Sequence, residues 1–331
     1  MKNKVTGVSL DNGNVFVVRF AKNIKNFFIK RKNDSIIESS VAEQITSPII
    51  RDFEYDGTVE RLKGIYTSDV AEFKKILESK INPAFLSNFY RNIRTATIMT
   101  SDNFSKNITG KYTTDENTIF VSKDDNCPRE TIFHELTHLS SSNKLDNIQR
   151  VGFRYGDTKN DINIGFGINE GYTSYLNNKL FGVIGGYLFE VMVAKTVEEI
   201  IGANKMQELY FNANLKGLIQ ELQKYVDEEE ITNFLYNLDG FTRNYLYSEH
   251  DAYDKEICIE YANLVKNSLF KIIYAKLSSE RFSEEEMDDY FKLCSKRFSL
   301  GVPLSDDEIL RTSVEENMEI FNSIKNEKHF I

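Results

Sequence analysis

The sequence is poor in the residues that build disulfide frameworks and thiolate metal sites. Its 331 residues hold no tryptophan, four prolines, four histidines and three cysteines. The cysteines are odd in number, far apart and form no C-x-x-C pair, which argues against a thiolate zinc site and against a disulfide framework. Cys127 lies outside metal-ligand spacing, and we expect it to be a small packing residue. The most apolar run, residues 180–193, is interrupted by three glycines and Glu190, so no stretch has the length of a membrane span.

The charge balance argues against two classes of partner. The chain carries 41 basic and 50 acidic residues, for a formal net charge of −9. An acidic protein is repelled by nucleic acid and by anionic membrane surfaces, so neither is expected as a partner. The amino terminus turns polar again by Asp11-Asn12-Gly13, so no apolar core of a signal peptide follows it. We therefore expect a cytoplasmic protein, with leaderless export left open.

Two of the scarce histidines form the most informative motif, H-E-x-x-H at residues 134–138. Successive α-helical residues are about 100° apart around the axis, so His134 and His138 lie only about 40° apart on one face. Two imidazoles one turn apart can bind one zinc ion. Glu135 lies beside that face, where it can act as a base on the attacking water.

The residues around this motif predict that it lies on a helix and that a strand precedes that helix. A helix over residues 128–141 begins at Pro128, which the first helical turn tolerates. Ile132, Leu136 and Leu139 gather on the side opposite the histidines, so the helix has an apolar back for a core and a His/Glu front for a cleft. A strand at residues 118–122 precedes it and is a candidate sheet edge for pairing with an extended peptide.

A second stretch, Gly165 to Leu176 in the printed sequence, has a similar pattern. Asn169 is a good helix N-cap, which would place Glu170 in the first turn. Tyr172 and Leu176 would then lie opposite Glu170, on an apolar back. A catalytic zinc takes three protein ligands and keeps one open position, so Glu170 is the candidate third ligand beside the two histidines. The sequence predicts one Zn²⁺ per chain.

The pair of motifs, H-E-x-x-H at 134–138 and N-E-x-x-T at 169–173, resembles the gluzincin metallopeptidases, the thermolysin-like branch of the zincins. The resemblance covers residues 95–180. It implies an α+β fold with a strand-rich N-terminal lobe, an active-site helix and a mostly helical C-terminal lobe. It also implies that His134, His138 and Glu170 bind zinc, that Glu135 is the general base, and that the substrate is a peptide or protein.

The sequence departs from the family at two points. Thermolysin-like enzymes carry an aspartate four residues after the ligand glutamate, where it orients a zinc-bound histidine, and Ser174 stands there in this chain. Serine can accept a hydrogen bond but brings no charge, so a different group could orient that histidine. The G-x-M-E-N element of the aminopeptidase branch is absent, which weakens a simple exopeptidase interpretation.

The predicted reaction is hydrolysis of a peptide bond, with Glu135 moving a proton from water to the leaving amine. His250 is a candidate donor to the oxyanion, and Tyr247 and Tyr172 are weaker ones. Two alternatives stay open. The same chemistry suits a zinc hydrolase of a non-peptide amide or ester, and a closed site with four protein ligands would favour a non-enzymatic zinc-binding regulator or scaffold.

The remaining sequence predicts three regions. Residues 1–60 are β-rich and could form a small separate domain, residues 61–180 form the lobe with both metal-binding helices, and residues 181–331 form a helical lobe. Residues 145–161 are predicted to be a loop with some strand character. Beyond residue 180, helix breaks are predicted at Gly202 to Asn204, at Asp239-Gly240 and at Gly301 to Pro303.

Overall fold

The structure is a computed structural model that describes residues 66–102, 108–183, 185–246, 255–299, 302–303, 309–310 and 313–328. All of these belong to one compact unit spanning Gly57–Ile331. The predicted β-rich region at residues 1–60 lies outside the described residues.

The first described elements are two helices and a small mixed sheet. They are α1 (Thr67–Lys80), a 3-10 turn (Pro83–Phe85), α2 (Ser87–Ile93), β1 (Thr97–Ser101), β2 (Gly110–Thr113) and β3 (Thr118–Ser122). Strand β3 pairs with β1 in parallel and with β2 in antiparallel fashion, so the order is β1-β3-β2. The prediction that residues 118–122 form a sheet edge is therefore wrong. The edge strand next to the following helix is β2.

The motif helix and a second sheet follow. Helix α3 (Pro128–Ser140) agrees with the predicted boundaries to one residue. The predicted loop at residues 145–161 is instead most of a four-stranded antiparallel meander. Its strands are β4 (Ser142–Leu145), β5 (Ile148–Val151), β6 (Arg154–Asp157) and β7 (Ile162–Ile164). Each strand has only three or four residues, many of them polar, which hides the period-2 pattern that identifies strands in a sequence.

The rest of the described chain is almost entirely helical. The elements are α4 (Phe166–Phe181), α5 (Leu188–Ile201), α6 (Ala203–Phe211), α7 (Leu215–Leu222), α8 (Glu228–Leu246), α9 (Lys255–Ser279), α10 (Glu284–Phe298), β8 (Val302–Pro303), β9 (Ile309–Leu310) and α11 (Val314–Lys328). The predicted break at Asp239-Gly240 is wrong, because α8 continues through both residues. A Cβ on Gly240 would lie 2.6 Å from the Tyr261 ring, so this glycine permits close packing of α9 rather than ending α8.

An aromatic cluster fixes the back of α3. Phe133 lies 5.6 Å from Phe73 of α1 and 5.0 Å from Phe181 of α4, measured between ring centroids. Ile132, Leu136 and Leu139 are fully buried on the same side, as the helical periodicity predicts. The α+β class with a helical C-terminal part is confirmed. Across the described ranges, none of the helices combines the length and the apolar character that a membrane crossing requires.

Candidate metal centre

Helix α4 is positioned by a tight turn after β7. Gly165 precedes the helix with φ +80°, in the left-handed region that favours glycine. A Cβ at this position would lie 2.1 Å from the Phe153 carbonyl oxygen, so only glycine fits the turn. The prediction that Asn169 is the N-cap is wrong. Asn169 lies inside α4, where its Oδ1 accepts a hydrogen bond of 3.1 Å from the Phe153 N–H.

The structure brings the three predicted ligands together in one buried cluster. His138 Nε2 lies 3.0 Å from His134 Nε2, and Glu170 Oε2 lies 3.2 Å from each of these nitrogens. His138 and Glu170 are buried, and the His134 side chain is 17% exposed, so the cluster reaches solvent on the His134 side. This group of side chains could hold a metal ion.

The spacing of the three atoms fits a tetrahedral metal site. Ligands at 2.0–2.1 Å from a tetrahedral zinc ion are roughly 3.3–3.4 Å apart. The observed separations of 3.0 and 3.2 Å are close to that value. Within the described ranges, no fourth histidine, cysteine, aspartate or glutamate joins the group. The donor set therefore leaves room for water or substrate.

The surroundings of His138 bear on which ring nitrogen carries hydrogen. Thr173 Oγ1 lies 3.4 Å from His138 Nδ1, 2.8 Å from the Asn169 carbonyl oxygen and 2.6 Å from the Tyr210 hydroxyl. When its one hydrogen goes to Asn169 or to Tyr210, Thr173 can only accept from the imidazole. Asn169 Nδ2 lies 3.3 Å from the same Nδ1 and favours the opposite tautomer. A cation on Nε2 requires hydrogen on Nδ1, which is the tautomer that Thr173 favours.

The predicted base lies beside this cluster and against strand β2. Glu135 is buried, and the backbone N–H of Tyr112 in β2 donates to its carboxylate. A Cβ on Gly110 would lie 2.3 Å from Thr131 Cγ2 and 3.3 Å from Glu135 Oε1, so glycine permits β2 to approach the helix. Burial raises the pKa of Glu135 to about 7, against the opposing effects of His134 and the Tyr112 N–H.

The pKa of Glu170, the predicted third ligand, is shifted in the direction opposite to that of Glu135. Burial alone would raise the pKa of Glu170, but the charges of and hydrogen bonds from His138 and His134 hold it below its ordinary range. The pKa values of the two neighbouring glutamates are therefore shifted in opposite directions: burial raises that of Glu135, and the histidines lower that of Glu170. Such a difference between adjacent carboxylates is typical of a site that moves protons.

Five other predicted residues have different outcomes. Tyr172 is wrong as an oxyanion donor, because it lies in the core and its hydroxyl donates to Glu198 Oε2 at 2.6 Å. Ser174 is buried, and its Oγ has no hydrogen-bond partner among the described residues. Cys127 is exposed rather than packed. His250 and Tyr247 lie outside the described residues.

Two residues that contact His134 or the helix of Glu170 are not among the site residues predicted from the sequence. Tyr187 has φ +63°, unusual for a bulky residue, and its ring stacks on His134 at 6.1 Å between centroids. The pair Gly185-Gly186 before it was the available turn signal. Asp239 contacts the start of α4 from a helix far along the chain, and no local pattern indicates that contact.

A scan against models of known protein families found no match, and searches of curated proteins and of solved structures found none either.

Proposed function

We propose that this protein is a zinc-dependent metallopeptidase. The observation that carries the proposal is the convergence of His134, His138 and Glu170 on one point, with the buried carboxylate of Glu135 beside them. Two imidazoles and a carboxylate with an open position form the ligand set of catalytic zinc. The same donors also bind ferrous iron in oxygenases, but a proton-accepting glutamate on the same helix favours hydrolysis.

Bound zinc would supply Lewis acidity for a water molecule and for the substrate carbonyl. Glu135 would then accept a proton from the attacking water and deliver it to the leaving nitrogen. Glu135 is buried beside the three ligands, so its carboxylate is within reach of a water molecule held at the open position.

The orientation of β2 supports a peptide as the substrate. The Ser122 N–H donates to the Thr109 carbonyl at 2.7 Å, so Thr109 and Ser122 are a hydrogen-bonded pair. From there, every second residue of β2 forms hydrogen bonds with β3. In an antiparallel pair, Gly110 and Tyr112 then direct their backbone groups away from β3. This outward edge runs beside Glu135, which takes the Tyr112 N–H. An extended peptide that adds as a further strand would therefore pair with Gly110 and with the Tyr112 carbonyl. Residues 118–122, the strand that the sequence offers as a candidate for this role, lie in the middle of the sheet, and β2 is the edge strand beside Glu135.

The number of ligands argues against a purely structural zinc site. Structural sites are usually closed by four protein ligands, and the described residues supply three.

The test compares the wild-type protein with Glu135→Gln on a peptide library read by mass spectrometry. Glutamine keeps the shape of the side chain and can still accept from the Tyr112 N–H, but it cannot take a proton. We expect peptide cleavage by the wild type to fall by about 10²–10⁴-fold in the variant, with unchanged metal content. Cleavage that survives in the variant would contradict the mechanism. Hydrolysis of amides or esters but of no peptide would contradict the substrate class.

A further inference from the structure

The first turn of α4, the helix that carries Glu170, is buried. Gly165, Phe166 and Gly167 are all buried, so their backbone N–H groups cannot be satisfied by bulk water. The first N–H groups of a helix have no partner within the helix, and an unpaired buried N–H is strongly unfavourable. Gly165 has no side chain to cap the helix, so another part of the chain must supply the acceptor.

That acceptor is the buried carboxylate of Asp239 in α8. The Gly165 N–H donates to Asp239 Oδ2 at 2.9 Å, and the Gly167 N–H donates to Oδ1 at 2.8 Å. Both oxygens therefore bind the same helix end, where the positive end of the helix dipole also attracts a carboxylate. The two donors precede Asp239 by 74 and 72 positions in the sequence.

Other contacts hold α8 against the same turn. A Cβ on Gly167 would lie 2.7 Å from the Leu238 carbonyl oxygen and 2.7 Å from Thr242 Oγ1, so α8 packs directly on this glycine. Arg243, one turn after Asp239, donates to the Asn163 carbonyl at 3.1 Å, just before the Gly165 turn. Helix α8 thus fixes where α4 begins and how it is rotated.

We propose that Asp239 is a positioning residue for the metal centre: by capping α4 it holds Glu170 at the distance from His134 and His138 that a metal ion requires. This inference rests on the metal site of the proposed function. Glu170 lies one turn beyond the capped residues, and rotation of that turn would move Oε2 away from the two imidazole nitrogens. The pKa of Asp239 is raised to about 6 by burial, so the side chain is mostly ionised at neutral pH and both oxygens can accept.

The test measures metal affinity in Asp239→Asn and Asp239→Ala, with Zn²⁺ in competition with a chromophoric chelator. Asparagine keeps one acceptor oxygen and alanine keeps none. Removal of groups that orient metal ligands weakens metal binding by about 10–100-fold, and we expect a graded loss with alanine at the larger end. Hydrogen exchange at the start of α4 should quicken in the same order.

The matched control is Asp227→Ala. Asp227 also caps a helix with its carboxylate, since Oδ1 accepts the Glu230 N–H at 2.9 Å, but it does so at the exposed start of α8. This variant should lose a helix cap on α8 itself and keep the wild-type zinc affinity. A similar weakening in the control would show that Asp239 acts only through general stability.

The outcomes separate this inference from the proposed function. Wild-type zinc affinity in a folded Asp239→Ala or Asp239→Asn would overturn the inference and leave the metal site standing. If Asp239→Ala does not fold, Asp239→Asn decides. A wild-type protein that binds no zinc would overturn the inference and the proposed function together. Zinc binding without peptide cleavage would overturn only the proposed function.

Discussion

Glu190 lies at the start of α5, and the burial of its carboxyl group predicts that the protein loses stability as the pH rises. The side chain is fully buried, and burial raises its pKa to about 7. Glu190 Oε1 lies 2.8 Å from Thr242 Oγ1, and that hydroxyl also lies 2.9 Å from the Leu238 carbonyl oxygen. One hydroxyl hydrogen cannot serve both acceptors. A protonated Glu190 resolves the conflict, because it can donate to Thr242 while Thr242 donates to Leu238.

The sign and the magnitude follow from this pKa. A carboxyl group whose pKa is higher in the folded protein than in the unfolded chain stabilises the fold when protonated. That stabilisation is fully present below the unfolded pKa of 4.5 and is lost as the pH rises through about 7. At about 1.36 kcal/mol per pKa unit, ionising Glu190 in the fold costs roughly 3 kcal/mol more than in the unfolded chain. Most of this loss, roughly 2–3 kcal/mol, falls between pH values of about 5 and 8.

Glu190→Gln isolates this contribution, because the amide resembles the protonated acid and cannot ionise. The free energy of unfolding is measured in urea at pH values of about 5 and 8. From the lower to the higher pH, it should fall less in the variant than in the wild type. Other titrating groups are common to both proteins, so their effects cancel in the difference between the two pH profiles. We expect the variant to be the more stable protein at pH 8. Parallel profiles would refute the assignment of a protonated Glu190.

Two further predictions concern the surroundings of the site. Gly110→Ala places a Cβ against the Thr131 methyl group, which should lower stability by about 1–3 kcal/mol and reduce cleavage by displacing β2 from Glu135. Adding Thr131→Ser removes that methyl group and should restore part of both losses; no recovery in unfolding and peptidase assays would contradict the close approach. Thr173→Val removes the oxygen that lies 3.4 Å from His138 Nδ1 and 2.6 Å from the Tyr210 hydroxyl, and it should weaken zinc binding by about 10–100-fold in a chelator competition, whereas unchanged affinity would show that Thr173 does not orient this histidine.

The sequence predicts the motif helix and the ligand cluster well, because both depend on local rules. The spacing of His134 and His138 places them on one face of any helix, and Pro128 marks where that helix begins. Burial of Ile132, Leu136 and Leu139 follows from the same periodicity. The need of a catalytic zinc for a third ligand pointed to Glu170 on the following helix, and the structure places Glu170 Oε2 3.2 Å from Nε2 of both histidines.

The errors have a common physical cause in contacts between distant parts of the chain. The predicted cap of α4, Asn169, is wrong because the acceptor at that helix end is Asp239, 74 positions after Gly165. The predicted helix break at Asp239-Gly240 is wrong because the aspartate binds α4 and the glycine accommodates Tyr261. The central position of β3 depends on its parallel pairing with β1, and strand order cannot be read from the alternation within one strand.

The central claim is that His134, His138 and Glu170 hold one zinc ion, and elemental analysis tests it most directly. The measurement uses protein purified without added metal, with Glu170→Ala as the variant and Glu190→Gln as the control for loss of a buried carboxylate. We predict one zinc per chain in the wild type and in the control, and little or none in Glu170→Ala. Equal zinc in all three proteins would place the third ligand elsewhere. A wild-type protein that holds no zinc even after reconstitution, or that holds iron instead, would contradict the account.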